Sequence, residues 1–209
     1  LISSMAERSI FISSGELKLE ALLDDLPGER GVVMTHPHPL YGGEMHNHVV
    51  EAVLEVYRSR GYSTLRFNFR GAGRSQGAHD QGQGEQEDVA SALAFMNSLG
   101  KKAIDLAGYS FGAWVNARGI EKYHSARRLV MVSPPVTFMD FGFIKAESRI
   151  GLVVTGSLDE IADPLQVERL IPGWNPEALL RIIPDADHFY GGKTRELQTA
   201  IADFLDLEV

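Results

Sequence analysis

The chain of 209 residues contains no cysteine. Disulfides, thiolate metal sites and a cysteine nucleophile are therefore excluded. It also lacks a basic excess: 20 Lys and Arg stand against 28 Asp and Glu, a formal net charge of −8. Nucleic-acid affinity comes largely from phosphate neutralisation, so no nucleic-acid partner is expected. A polyanionic substrate is disfavoured for the same reason. No apolar run approaches the roughly 20 residues that span a bilayer. The N-terminus, Leu1-Ile-Ser-Ser-Met5-Ala-Glu-Arg8, does not have the basic-then-apolar order of a secretory signal. No internal repeat, low-complexity tract or interdomain linker is visible. These absences predict a cytoplasmic protein without a membrane partner, starting naturally at Met5 with Leu1 to Ser4 added ahead of it. The length and a hydrophobic content of 44% suit one domain over residues 1–209 with a sizeable core.

What is present is organised around Ile104-Asp-Leu-Ala-Gly-Tyr-Ser-Phe-Gly-Ala-Trp-Val115. The apolar run Ala103 to Ala107 reads as a buried strand of a parallel sheet, and Ala113 to Arg118 as a helix. Between them, Gly108-Tyr-Ser110-Phe-Gly112 has the Gly-x-Ser-x-Gly form of a nucleophile elbow. The demand is steric. Ser110 is expected in a strained turn that holds its hydroxyl clear of the backbone. Strand end and helix start then lie so close that glycine is needed two residues either side.

The rest of the chain alternates in period. Arg8 to Ser13 and Glu16 to Leu22, joined at Ser14-Gly15, predict an antiparallel edge hairpin. Further strands are expected at 31–35, 63–69, 128–133, 150–155 and 179–183. A helix from Asn47 carries Val49, Val50, Val53, Leu54, Val56 and Tyr57 on one face. A second is opened by Glu85, Glu87 and Asp88 against its positive end, with Val89, Leu93 and Met96 inward. A third is capped by Asp163-Pro164 and stopped at Pro172; the last runs from Lys193 to Leu205. This alternation predicts an α/β fold: a mainly parallel twisted sheet with helices on both faces.

A serine nucleophile needs a base to take its proton and an acid to orient that base. With an elbow of this kind the order is Ser, Asp or Glu, His, each partner standing just beyond a strand. Asp159 follows the strand ending at Thr155, and His188 follows the last strand. Of the neighbouring acids, Glu160 would point away from Asp159, Asp163 has its own reason as a helix cap, and Asp187 pins the histidine loop. The candidate catalytic set is therefore Ser110, Asp159 and His188. An oxyanion would take the N–H of Phe111 and a second from the loop Pro37 to Gly43. Pro37 and Pro39 have none to give. His38 is preferred by position and Leu40 stands second.

These features, with Asn68-Phe-Arg-Gly-Ala-Gly-Arg-Ser75, Asp187-His188-Phe189 and His36-Pro-His-Pro-Leu-Tyr-Gly-Gly43, resemble the α/β-hydrolase superfamily from about Gly31 to Leu205. The His-Pro-His-Pro variant is similar to small, capless bacterial hydrolases related to dienelactone hydrolase and the acyl-peptidase-like esterases. One departure is His36-Pro37, where the family usually has His-Gly. The resemblance implies a serine hydrolase of small acyl esters with no cofactor, no metal and no large cap domain. Thioester or small-peptide cleavage, or a catalytically silent binding module, are the alternatives on the same fold. The short segment Pro134 to Ser148 is either a flap over the acyl pocket or a loop packed on the core or a dimer contact. Leu40, Tyr41, Phe138 and Phe141 are the expected substrate-binding residues, in a monomer or homodimer.

Two other motifs read as structural. His36/His38 and His46/His48 lack the further ligands of a zinc site, and prolines interrupt the first pair. Gly71-Ala-Gly-Arg-Ser-Gln-Gly77 has its third glycine one place late for a dinucleotide fingerprint, and no helix opens there. That turn is expected to brace the elbow instead.

Overall fold

The computed structural model describes residues 7–207; Met5 and Leu1 to Ser4 lie outside them. Its strands are β1 (Arg8–Ser14), β2 (Leu17–Asp24), β3 (Arg30–Thr35), β4 (Ser63–Phe67), β5 (Ala103–Tyr109), β6 (Ala126–Val132), β7 (Ile150–Gly156) and β8 (Leu179–Ile183). They form one sheet in the order β1-β2-β4-β3-β5-β6-β7-β8. The hairpin β1–β2 is antiparallel and joins β4 antiparallel; every later pair is parallel.

Side chains alternate across a strand with period two, so an apolar run feeds both faces of the sheet. Val33, Leu106, Met131 and Val153 enter the core on one face; Val32, Ala107, Val130 and Val154 enter the core on the other. A parallel sheet of this kind must be covered on both sides. Helices α1 (His48–Ser59) and α5 (Thr194–Asp206) cover the second face, while α2 (Gln83–Ser98), α3 (Phe111–Gly119) and α4 (Pro164–Trp174) cover the first. α1 is capped by the Asn47 side chain, which accepts the Val49 N–H at 2.9 Å. Its six expected apolar residues are all buried. Each contributes about 1.5–3 kcal/mol by leaving water.

Several boundaries shift by one or two residues from expectation, and three of these shifts have a local cause. β4 ends at Phe67, because the Phe69 N–H is taken by the His36 ring. α2 opens at Gln83, two residues before Glu85, whose carboxylate accepts the N–H of Gly82 at 2.8 Å and of Asp80 at 2.9 Å. α4 does not stop at Pro172 but continues to Trp174. Proline here forgoes only a bond to the carbonyl of Glu168, an exposed position. The buried Trp174 ring and the Asn175 N–H, donated to Ile171 O at 2.9 Å, hold the last turn.

The segment between β6 and β7 builds no cap, and it divides in two. Phe138 is 75% exposed and Met139 half-buried, but Phe141 and Ile144 are buried in the core. Phe141 packs 5.3 Å from Trp174, and the Trp114 Nε1–H donates to the Asp140 carbonyl at 2.9 Å. Phe141 is thus drawn inward and, contrary to expectation, does not line the cleft over Ser110. Replacing it by Ala is expected to destabilise the protein by about 3–5 kcal/mol, as for other buried Phe truncations. Denaturant unfolding checks this; a change below about 1 kcal/mol would mean that the ring is a surface flap after all.

Candidate active site

Ser110 joins β5 to α3 with φ +54° and ψ −120°, a conformation that costs a non-glycine residue about 1–3 kcal/mol. The surroundings enforce it. The Ser110 N–H donates to Val132 O at 2.9 Å, and its carbonyl accepts from the Trp114 N–H at 3.2 Å. β3 runs hard against the turn, with Thr35 paired opposite Gly108. A Cβ on Gly108 would lie 2.5–2.7 Å from Asn116 Nδ2, Thr35 Oγ1 and Ala113 N. One on Gly112 would lie 2.6–2.7 Å from Thr35 Oγ1, Thr35 O and His36 O. Both flanking glycines are therefore required by close approach.

The loops after β7 and β8 bring Asp159 and His188 to this serine. His188 Nε2 lies 3.0 Å from Ser110 Oγ, and Nδ1 lies 2.9 and 3.0 Å from the two Asp159 oxygens. A carboxylate only accepts, so the proton sits on Nδ1 and Nε2 is free to accept from the serine. Asp159 Oδ1 also accepts the N–H groups of Ile161 at 3.0 Å and Ala162 at 2.7 Å. Burial alone would raise the Asp159 pKa. The hydrogen bond and charge attraction from His188, with the Ala162 N–H, outweigh it and lower the pKa, so the group stays ionised. The histidine loop is itself pinned: Tyr109 Oη donates to His188 O, and His48 Nε2 bonds Phe189 O, both at 2.8 Å. Among the other acids, Glu160 is exposed, Asp163 caps α4 by accepting the Gln166 N–H, and Asp187 accepts the Phe189 N–H.

The α3 N-terminus, where the first N–H groups have no intrahelical acceptor, begins at Phe111. Facing it is the loop after β3. There the N–H of Leu40 goes to His38 Nδ1, those of Tyr41 and Gly43 to His38 O, and that of Gly42 to Pro39 O. Among the described residues no acceptor is found for the His38 N–H, and the His38 ring packs 4.6 Å from Phe111. Leu40 is 68% exposed, its N–H is engaged, and it stands outside the cleft. It therefore fills neither place expected of it. The loop is braced from the strand β4 side. His36 Nε2 accepts the Phe69 N–H at 3.0 Å and Asn68 Oδ1 accepts the Met45 N–H at 2.9 Å. The Gly71–Gly77 turn is tied to β2, with Ser75 Oγ accepting the Glu20 N–H, while Phe69 and His79 on either side of it pack 5.9 and 5.5 Å from Phe111. Its arginines are committed, Arg70 to Asp88 and Arg74 to Glu20.

A cleft of about 550 Å³ opens over Ser110. Tyr41 and Phe138 stand at it as expected; Met139, Ile161 and Phe189 complete its apolar wall. Neither Ile161 nor Phe189 was expected in the wall, although Phe189 adjoins His188 and Ile161 stands two residues past Asp159. No Asp, Glu, Lys or Arg among the described residues lines it. No described residues form a cluster of three or more metal-ligating side chains. No helix among them is long and apolar enough to cross a membrane.

With this geometry in view, the alpha/beta hydrolase family model matches residues 32–207. The chain belongs to the α/β-hydrolase family. Membership assigns this α/β-hydrolase to the hydrolases. It is similar to an alpha-beta serine hydrolase homologue from Coxiella burnetii, with 31% identity and TM-score 0.88 over 96% of this chain and 98% of that one. A Xanthomonas campestris serine hydrolase described as without a lid shares 29% identity, TM-score 0.88, over 97% and 95% of the two chains. A curated but uncharacterized protein of Rickettsia prowazekii (strain Madrid E) is 34% identical over 183 residues, 83% of this chain and 77% of its own.

His36 provides a test of the brace in this α/β-hydrolase. Burial lowers its pKa from 6.5 to about 4, against an opposing hydrogen bond with Pro37 O. The unfolded chain takes up a proton near pH 6.5 that the folded chain refuses until about pH 4. The stability that the neutral ring contributes is therefore complete above pH 6.5 and lost as pH falls toward 4. Between pH 7 and 4.5 the native protein should lose about 2 kcal/mol more than His36→Gln, measured by urea unfolding. Equal losses would refute a neutral buried His36.

Proposed function

We propose that this protein is a carboxylesterase that cleaves small uncharged acyl esters through an acyl-enzyme on Ser110. The observation that carries the reading is the unbroken line Asp159–His188–Ser110, with contacts of 2.9 and 3.0 Å, beside the helix N-terminus at Phe111. In this reading Ser110 Oγ attacks the ester carbonyl carbon while its proton passes to His188 Nε2. Negative charge forms on the carbonyl oxygen, where the N–H groups of Phe111 and His38 receive it. Asp159 stays ionised and stabilises the imidazolium. Collapse breaks the bond to the alcohol oxygen, which leaves with the proton from His188. Water then repeats the sequence on the acyl-serine, giving up a proton to His188 and releasing the acid.

The uncharged lining supports a neutral acyl group, since a buried charge would meet no partner there. The missing cap supports a short one. Each methylene adds about 0.8 kcal/mol only while it has wall to touch.

Treatment with a fluorophosphonate should place one adduct on Ser110 by mass spectrometry, and Ser110→Ala should lower turnover by about 10⁴-fold or more. A label elsewhere, or an active variant, would refute the nucleophile. Across straight-chain acyl esters, kcat/KM should peak between acetyl and roughly hexanoyl and then decline. A rise continuing through long chains would point to a lipase or acyl-thioesterase; brisk amide cleavage beside negligible ester cleavage would point to a peptidase.

A further inference from the structure

Three aromatic rings stand around the mouth of the cleft and bury little of themselves. Tyr41 is 87% exposed, Phe138 75% and Phe189 60%, and all three line the cleft over Ser110. They come from three separate places in the chain: the loop after β3, the segment after β6 and the loop after β8. The rest of the surface is sorted differently. Among the described residues the other large exposed hydrophobics are Phe11, Leu40, Leu158, Leu165, Ile182 and Leu207. None of these lines the cleft, and all but Phe11 are aliphatic. Phe11 is covered by the Arg74 guanidinium, 5.4 Å from its ring centroid. Exposed apolar residues scattered singly need no explanation, whereas rings gathered at one opening do.

Two of the three rings are held against the site itself. Tyr41 leans on the His38 imidazole with centroids 4.9 Å apart, and Phe189 stands at a right angle to His188 at 5.5 Å. Phe138 stands free at the tip of its segment. An aromatic ring has a negative face and a positive edge, so a further ring pairs with it in an offset or edge-on arrangement. A saturated chain gains area against such a wall but no pairing of this kind. A cation would also be drawn to ring faces, but no carboxylate lines this cleft to reinforce the attraction.

We propose that the esters cleaved at this site carry an uncharged aromatic ring, received at the mouth by Tyr41, Phe138 and Phe189. The proposal rests on the esterase reading of Ser110 and names its substrate class. Because Tyr41 and Phe189 rest on His38 and His188, a ring packed against them lies near the reacting carbonyl. A short link between ring and ester is enough to span that gap. The rim is then the selector in a cleft whose lining offers no charge to a substrate.

The test compares esters that differ only in the ring. Benzyl butanoate against cyclohexylmethyl butanoate places it on the alcohol side; methyl 3-phenylpropanoate against methyl 3-cyclohexylpropanoate places it on the acyl side. Each pair shares a carbon skeleton, so the ratio of kcat/KM reads the ring face rather than apolar bulk. In at least one pair the aromatic member should lead by about 3- to 10-fold, the range for one ring pairing, and that pair tells which side the rim receives. Combining Tyr41→Leu, Phe138→Leu and Phe189→Leu keeps apolar bulk and removes the rings, and should bring this ratio to within about twofold of one. A ratio taken within one variant cancels any general loss of activity, which is all that a structural defect would produce. Should the triple variant fail to fold, Phe138→Leu decides alone by lowering the ratio. Ratios near one in both pairs, a ratio untouched by the substitutions, or butyrylcholine outpacing benzyl butanoate by tenfold or more would each overturn the proposal and leave the esterase standing. If no ester is cleaved, the esterase reading falls. The ring preference is then read from how 3-phenylpropan-1-ol and 3-cyclohexylpropan-1-ol slow fluorophosphonate labelling of Ser110, and equal slowing overturns it.

Discussion

Everything at this site depends on how closely β3 runs past the turn after β5. Thr35 and His36 occupy the space that side chains at positions 108 and 112 would need. Two strands and a helix can come this near only because two glycines remove their own bulk. The approach holds Ser110 at positive φ and turns its hydroxyl away from the sheet. It also carries the loop after β3 up to the N-terminus of α3. One steric constraint thus positions the serine and assembles the donors around it.

The polar partners arrive by a second route. β6, β7 and β8 end side by side, so the loops that leave them converge on the same edge of the sheet. Asp159 is buried, yet it is served by two backbone N–H groups and by His188. Burial penalises its charge, and the bonds more than offset that penalty. A carboxylate on the surface would be easier to keep ionised but would lose orientation to solvent. Here it is both charged and fixed.

Much of this was readable from the residues. The strand periods, the five-residue elbow and the order serine, aspartate, histidine are local signals, each carried by neighbours in the chain. Pro172 misled because a proline near a helix end forgoes only a bond at an exposed position, while the distant packing of Trp174 favours one more turn. Phe141 and Leu40 misled for a related reason. An apolar residue in a loop has no period to say which way it faces; Trp174 draws Phe141 inward, and nothing draws Leu40 into the cleft. Phe189 carried no such signal. Its meeting with Tyr41 and Phe138 exists only once the loops after β3, β6 and β8 are set around one cleft.

The inward anchoring of Phe141 has a consequence for the rhythm of the site. In enzymes whose lids must swing before each turnover, the gate often sets the pace. Here the segment that would serve as a gate is tied to the core by Phe141, Ile144 and the Trp114–Asp140 bond. Only the tip at Phe138 stands free. With that segment anchored, the cleft over Ser110 faces solvent, and in the esterase reading water can reach the acyl-serine. In that reading, a centre so exposed to water suits breaking bonds better than passing groups between partners.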